Sequence, residues 1–368
     1  MRIAMFYHSL LSDWNQGNAH FLRGVVGELL FRGHDVRVFE PLDAWSRVNL
    51  VVDQGREAID EVEQAFPTLR STCYDPLEPD VAAMTEGADL VLVHEWNEPA
   101  LVAAVGAHKS AGGYRLLFHD THHRAVTAPE EMARFDLRHY DGVLAFGGVI
   151  RDLYLKRGWT ERAWTWHEAA DTRVFTPLDD VPRRGDLVWI GNWGDGERTA
   201  ELHEYLLGPV KRLGLTALVH GVRYPHDAQR ALAEAGIRYG GWRANHKAPQ
   251  TFAAHAVTVH VPRRPYVKAL PGIPTIRPFE ALACGIPLVS APWDDVEGLF
   301  TPGTDFLVAR SGKDMERQLD AVLHEPELAA SLRAAGLATI AARHTCAHRV
   351  DELMDVADEL GLETGEAR

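Results

Sequence analysis

A chain of 368 residues with 46% apolar side chains is long enough for two ordinary domains, each with its own core. A formal charge of −14 excludes a general nucleic-acid binder, and the three isolated cysteines, Cys73, Cys284 and Cys346, supply neither a disulfide framework nor a zinc site. The chain has no apolar run of about 18 residues and enters a strand at once without a signal-peptide pattern, so a reducing, cytoplasmic setting with no membrane span is expected.

MRIAMFYH reads as a buried strand, SDWNQGNAH as a loop, FLRGVVGELLFRGH as a helix and DVRVFEP as a second strand. This βαβ start implies a parallel sheet. Residues 43–80 are polar, with a helix expected only near Glu57–Ala65. Strand patterns return at 89–96 and 115–123, with the helical ALVAAVGAHKSA between them, and 141–158 reads as strand then helix. One doubly wound domain therefore spans 1–168. The charged, proline-containing run 166–186 is the expected connection.

The alternation restarts at DLVWIGNW, a strand entering a glycine loop, followed by a helix at 197–213 and the strand LTALVHG. DAQRALAEAG and APQTFAAHA are helical, IRYGGW and AVTVHVP contain strands, and DFLVARS with GKDMERQLDAVLHEP gives a last strand and helix. The tail from about Glu327 to Leu362 reads as helical, with Val350, Leu353, Met354, Val356 and Leu360 at helical spacing beyond Cys346. The expected fold is α/β, two Rossmann-like domains at 1–168 and 169–345 with a cleft between them.

The stretch Thr275 to Trp293 carries the most chemistry. It reads as an anion-binding loop, a short helix and a buried strand. Pro278 suits the first turn, Glu280 is expected in that same turn, and Gly285 closes the helix before Pro287. The N–H groups around Thr275, Ile276 and Arg277 would then be free at a helix N-terminus, which attracts anions and suits a diphosphate. A capped amphipathic helix with Glu280 at its favourable end fits the same residues.

Placed in order along the chain, several motifs resemble those of nucleotide-sugar glycosyltransferases of the two-Rossmann, GT-B type called group 1, closest to their CgeB-like variant. GNAHFLRGVVGELLFRGHDVRVFEP looks like the opening glycine loop and helix, and HEWNEPAL and FHDTHH look like paired strand ends. EAADTRVFTP resembles the linker signature, IGNWGDGER the phosphate loop, and PFEALACGIPLVSA the signature E-A-x-A-x-G-x-P-V-V. The family pattern has a second glutamate eight residues before the position of Glu280; here that position is Gly272, so the contact to the transferred sugar departs from the pattern.

The resemblance implies transfer of a sugar from a nucleoside-diphosphate sugar to an acceptor hydroxyl, with retention, no metal and no further cofactor. Glu280 would bind the donor ribose, and His119 would shape and polarise the site while the leaving phosphate draws the acceptor proton. The diphosphate would lie against Thr275, Ile276, Arg277, Gly191, Asn192 and Arg198, a permanent fork-shaped cation. Arg198 fits equally a solvent-exposed helix position. Lys268, Arg263 and Arg264 are weaker candidates. Gly17 and Asn18 lie in the first βα loop, as donor contacts or a plain tight turn. Trp242, after Gly241, stacks on the base or simply packs; Trp14 and Trp96 lie in other loops at the strand ends. His119 also fits a polar cluster with Asp120, His122 and His123. The helix 346–368 would cross back onto the first domain.

Residues 1–170 hold 16 Lys/Arg against 25 Asp/Glu, which favours a soluble acceptor, a small molecule or natural product, over a membrane lipid. Two other functions share the architecture: a sugar-nucleotide epimerase and a nucleotide-sugar-binding protein without turnover. A nicotinamide dehydrogenase fits poorly, because neither glycine loop reads G-x-G-x-x-G.

Overall fold

A computed structural model describes residues 1–15 and 17–363. The chain divides into two compact units, Met1–Glu168 with the residues from Cys346 on, and Ala169–Thr345.

The first unit alternates β1 (Arg2–Phe6), α1 (Asn18–Phe31), β2 (Asp35–Pro41), α2 (Trp45–Gln54), α3 (Glu57–Ala65), β3 (Ser71–Tyr74) and α4 (Val81–Thr85). It continues with β4 (Leu90–His94), α5 (Pro99–Gly112), β5 (Arg115–Asp120), α6 (Arg124–Thr127), α7 (Pro129–Met132), β6 (Gly142–Ala145), α8 (Gly148–Lys156) and β7 (Ala163–Thr165). The strands pair in parallel in the order β3-β2-β1-β4-β5-β6-β7. β4 is buried along its whole length, as a strand covered by helices on both faces must be. Ile3, Met5, Leu92, Leu117 and Val143 form its core layer. α5 starts on Pro99 and stops at Gly113 in the left-handed conformation, the usual punctuation of a helix.

The second unit holds β8 (Gly185–Ile190), α9 (Thr199–Leu202), a π-turn (His203–Leu207), α10 (Gly208–Leu213), β9 (Ala217–His220), α11 (His226–Glu234) and β10 (Ile237–Tyr239). Then come a 3-10 turn (Asn245–Lys247), α12 (Ala248–Ala253), β11 (His255–His260), α13 (Arg264–Ala269), α14 (Ile276–Ala283), β12 (Leu288–Ser290), β13 (Leu307–Val308), α15 (Gly312–His324) and α16 (Pro326–Arg343). The order β10-β9-β8-β11-β12-β13 is again parallel throughout. Its core gathers Leu187, Val219, Val257, Val259, Leu206 and Leu319.

Three expectations need correction. The polar segment 43–80 contains α2 and β3 besides α3; β3 is a half-buried edge strand on β2 and carries no apolar run. The strand expected over 115–123 stops at Asp120, where the chain turns into α6. The tail is helical as expected, in two pieces. α16 ends at Arg343, Thr345 bridges in parallel to Ala170, and α17 (Cys346–Glu359) starts afresh. Glu280 lies in the second turn of α14, because the helix already begins at Ile276.

α17 packs on α1 within the first unit. Val350, Leu353 and Met354 are buried, Arg32 donates to Asp351 at 2.6 Å and to the Ala347 carbonyl at 3.2 Å, and the Trp166 indole donates to the Arg349 carbonyl at 2.7 Å. Apolar burial, at roughly 25 cal/mol per Å², outweighs the partly exposed Arg32–Asp351 pair in holding it.

Candidate functional site

The strand order of the second unit reverses between β8 and β11, the place where doubly wound sheets bind ligands. β8 runs into Gly191, whose N–H donates to the His220 carbonyl at 2.8 Å and whose carbonyl accepts from the Tyr224 hydroxyl at 2.9 Å. Gly221 presses on that carbonyl: its φ is +156°, and a Cβ there would lie 1.9 Å from the Gly191 oxygen. Only glycine fits. Residues Gly194, Asp195 and Gly196 all take positive φ, and Asp195 pairs with Arg223 at 3.1 Å and Arg263 at 3.6 Å.

Arg198 precedes α9 and is not a solvent-facing helix residue. Its guanidinium donates to the carbonyl and side-chain oxygens of Asn192, both at 2.7 Å, and to the Val261 carbonyl at 3.0 Å. It also lies 5.0 Å over the Trp189 ring. Burial, together with the charges of Arg263 and Arg277, pulls its pKa down to about 10, so it stays a cation at neutral pH. Arg198 and Arg277 in turn act on His260 at the end of β11. Burial, the larger cause, leaves His260 neutral with a pKa of about 3; Nδ1 meets the Ser290 hydroxyl at 3.0 Å, and the Pro274 backbone also bonds the ring.

α14 begins with no capping side chain, directly after Thr275 at φ +62°. An L-residue held there costs about 1–3 kcal/mol, the kind of strain that clusters at functional sites. The N–H groups of the first turn have no acceptor within the helix. One turn in, Glu280 is fully buried: Arg277 pairs with one carboxylate oxygen, and the Asn245 amide donates to the other at 2.8 Å. Trp242, in the loop before Asn245, is half-buried, and its indole N–H is enclosed without a partner. Lys268 is exposed on α13, and Arg264 is committed to Glu201 and the Gly196 carbonyl.

In the first unit the equivalent strand ends carry His119, fully buried between Tyr7, His94, Phe21 and Trp166. Nδ1 shares a 2.7 Å hydrogen bond with the Tyr7 hydroxyl, and Nε2 has no partner. Burial lowers its pKa to about 3, so the ring is neutral. Asp120 accepts from the Tyr154 hydroxyl at 2.9 Å and from the His122 N–H at 3.0 Å, and Glu95 pairs with Arg124. Burial raises both carboxyl pKa values. Among the described residues no group of three or more His, Cys, Asp or Glu is placed to hold a metal ion. Gly17 caps α1 at φ −64°, a conformation open to any residue. Trp14 donates to Asp53 and packs edge-on against Trp45, and Trp96 lies under the Arg124 guanidinium.

The second unit thus brings Arg198, Arg277, Glu280, Gly191 and Asn192 into one set of loops. His260 and Asn245 join them unannounced by any motif. The rule that points to His119, a polar residue at the carboxyl end of a central strand, would have found His260 as well.

Two parallel Rossmann-like sheets in sequence make this a two-domain α/β protein of the GT-B architecture. The family model described as glycosyl transferase-like matches residues 198–355. Sucrose-phosphate synthase from Thermosynechococcus elongatus is 15% identical with a TM-score of 0.66, over 98% of this chain and 99% of that one. Anabaena HepE, solved with UDP and glucose, is 13% identical with a TM-score of 0.68, over 98% and 100%. An alpha-glucosyltransferase solved with UDP and a 13-mer DNA containing a HMU base is 11% identical with a TM-score of 0.68, over 97% and 99%. No curated protein matches the chain in sequence. No described helix is long and apolar enough to cross a membrane.

Proposed function

We propose that the chain is a glycosyltransferase that moves a sugar from a nucleoside-diphosphate sugar to a hydroxyl of a soluble acceptor, with retention and without a resident metal. The observation that carries this reading is the start of α14. A strained Thr275, an uncapped helix N-terminus, Arg277 and the nearby Arg198 together offer an anion site, and a buried carboxylate, Glu280, lies one turn inside it. An anion site followed by a hydroxyl acceptor suits a diphosphate joined to a ribose. The resemblance of the motifs, the family match over 198–355 and neighbours solved with UDP support the same donor class.

In this reaction the bond from the anomeric carbon to the outer phosphate breaks, and a bond to the acceptor oxygen forms. The acceptor proton passes to the departing phosphate oxygen, and a nucleoside diphosphate leaves. Arg198, Arg277 and the α14 N–H groups stabilise the charge that grows on that oxygen. Glu280, aimed by Asn245, takes the ribose hydroxyls, and the half-buried Trp242 offers its ring face to the base. The neutral His119, held by Tyr7, donates or accepts one hydrogen bond at the sugar without acting as the base. The acidic first unit supports a soluble acceptor over an anionic lipid.

The test is a thermal-shift series over nucleoside diphosphates and their sugars. A ligand at 100 times its Kd adds about 2.7 kcal/mol of stability, and release of nucleoside diphosphate from the stabilising donor separates an enzyme from a binding protein. Silence toward every nucleotide sinks the reading.

A further inference from the structure

The loop that leads into α14 has no side chain at Gly272, yet a carboxylate fills that place. Gly272 has φ +88°, and a Cβ built there would lie 2.6 Å from Glu297 Oε1, 2.8 Å from its Cγ and 3.1 Å from its Cδ. The Glu297 side chain therefore lies against the backbone of residue 272 and takes the volume that a side chain at 272 would need. The Gly272 N–H donates to the Asp294 carbonyl at 2.6 Å, so the two loops are joined through the main chain as well.

The turn that carries Glu297 is firmly held. Asp295 accepts from the N–H groups of Leu299 at 3.0 Å and Phe300 at 2.8 Å. Arg343 donates to the carbonyls of Gly298 at 3.2 Å and Leu299 at 2.6 Å, and His344 Nε2 bonds the Leu299 carbonyl at 2.7 Å. The Phe300 ring packs 5.3 Å from that of Phe279 on α14. The turn that carries the carboxylate thus packs on the same helix whose first turn is the proposed anion site.

We propose that Glu297 is the residue that accepts hydrogen bonds from the hydroxyls of the transferred sugar. This rests on the donor site proposed above. Gly272 precedes Thr275 by three residues, so it lies within about 11 Å of the helix start. A sugar joined to the outer phosphate projects beyond the helix start within that reach. Two carboxylate oxygens accept from two neighbouring hydroxyls, and charge-assisted bonds of this kind discriminate strongly against a ligand that lacks them. Glycine at 272 is then the condition for this arrangement, because any Cβ would displace the carboxylate. A residue far along the chain supplies what the local motif omits.

The experiment compares two ligands on the full chain by calorimetry: a nucleoside diphosphate, and the sugar nucleotide that stabilises the protein most. Glu297→Gln keeps the shape and removes the charge; Gly272→Ala keeps Glu297 and pushes it aside. Both variants should bind the nucleoside diphosphate within about twofold of the unchanged protein and lose about 10- to 100-fold in affinity for the sugar nucleotide. Glu297→Asp should fall between. Ligand-free melting curves confirm that each variant folds. Undiminished preference for the sugar nucleotide in Glu297→Gln overturns the assignment, and so does an equal loss of both ligands, which marks a structural role. If the unchanged protein binds neither ligand, it is the donor-site reading that has failed.

Discussion

The strand ends of the two units are furnished with opposite kinds of chemistry. In the first unit they hold His94, His119, Glu95 and Asp120, all fully buried, and burial pushes each toward its neutral form. In the second, beside the likewise neutral His260, they hold Arg198, Arg263 and Arg277, set among glycine turns with paired acids beside them. One sheet order with two such contents shows that a doubly wound scaffold fixes where a site lies and leaves its electrostatics to the loops. A permanent cation suits a ligand that always carries charge, and a desolvated neutral ring suits a group that must exchange hydrogen bonds without holding a proton.

The sharpest way to break this contrast is Glu280→Ala. It leaves Asn245 and Arg277 without their buried partner and removes the proposed acceptor for the ribose. Loss of a charged hydrogen-bond partner costs about 1.5–3 kcal/mol, so nucleotide affinity should fall about 10- to 100-fold in calorimetry. An unaltered affinity would remove Glu280 from the site.

His119→Asn tests the other side. It should lower transfer about 100-fold, the scale of one hydrogen-bonding group lost from a transition state, while nucleoside-diphosphate affinity, proposed to reside in the second unit, stays unchanged. Parallel loss of both would show that the two chemistries are not separable.

A third effect is on stability against pH. His119 and His260 ionise near 3 when folded, because burial opposes their charge, and near 6.5 when unfolded. Between these values the unfolded chain binds more protons, so stability falls as pH drops from about 6.5 toward 3, by up to about 1.4 kcal/mol per pH unit for each ring. Melting curves of His119→Asn over that range should show a shallower decline; an unchanged slope would mean that the buried ring does not set it.

Much of the fold was legible because strands such as β1 and β4 are buried on both faces and read as apolar runs. β3 was hidden because an edge strand of Ser, Thr, Cys and Tyr has no such run. The end of α14 was visible in Gly285 and Pro287, but its start was not. Thr275 takes a positive φ there, +62° with ψ 179°, a conformation that sequence ordinarily signals with glycine, and the helix therefore begins early enough to move Glu280 into the second turn. Asn245 reaches Glu280 and Glu297 reaches Gly272 across loops, and no spacing along the chain encodes such contacts. Arg198 was readable as a cation in the right loop, but its grip on Asn192 and Val261 was not.

The placement of α17 in the first unit reorders events during synthesis. The face of α1 that it covers has no partner until Val350, Leu353 and Met354 have been made, after the whole of residues 169–345. At about 5–20 residues per second that interval lasts about 10–35 s. The second unit, later in sequence, is therefore the first that can be completed on the ribosome, and the first unit waits for the chain's last helix to close over it.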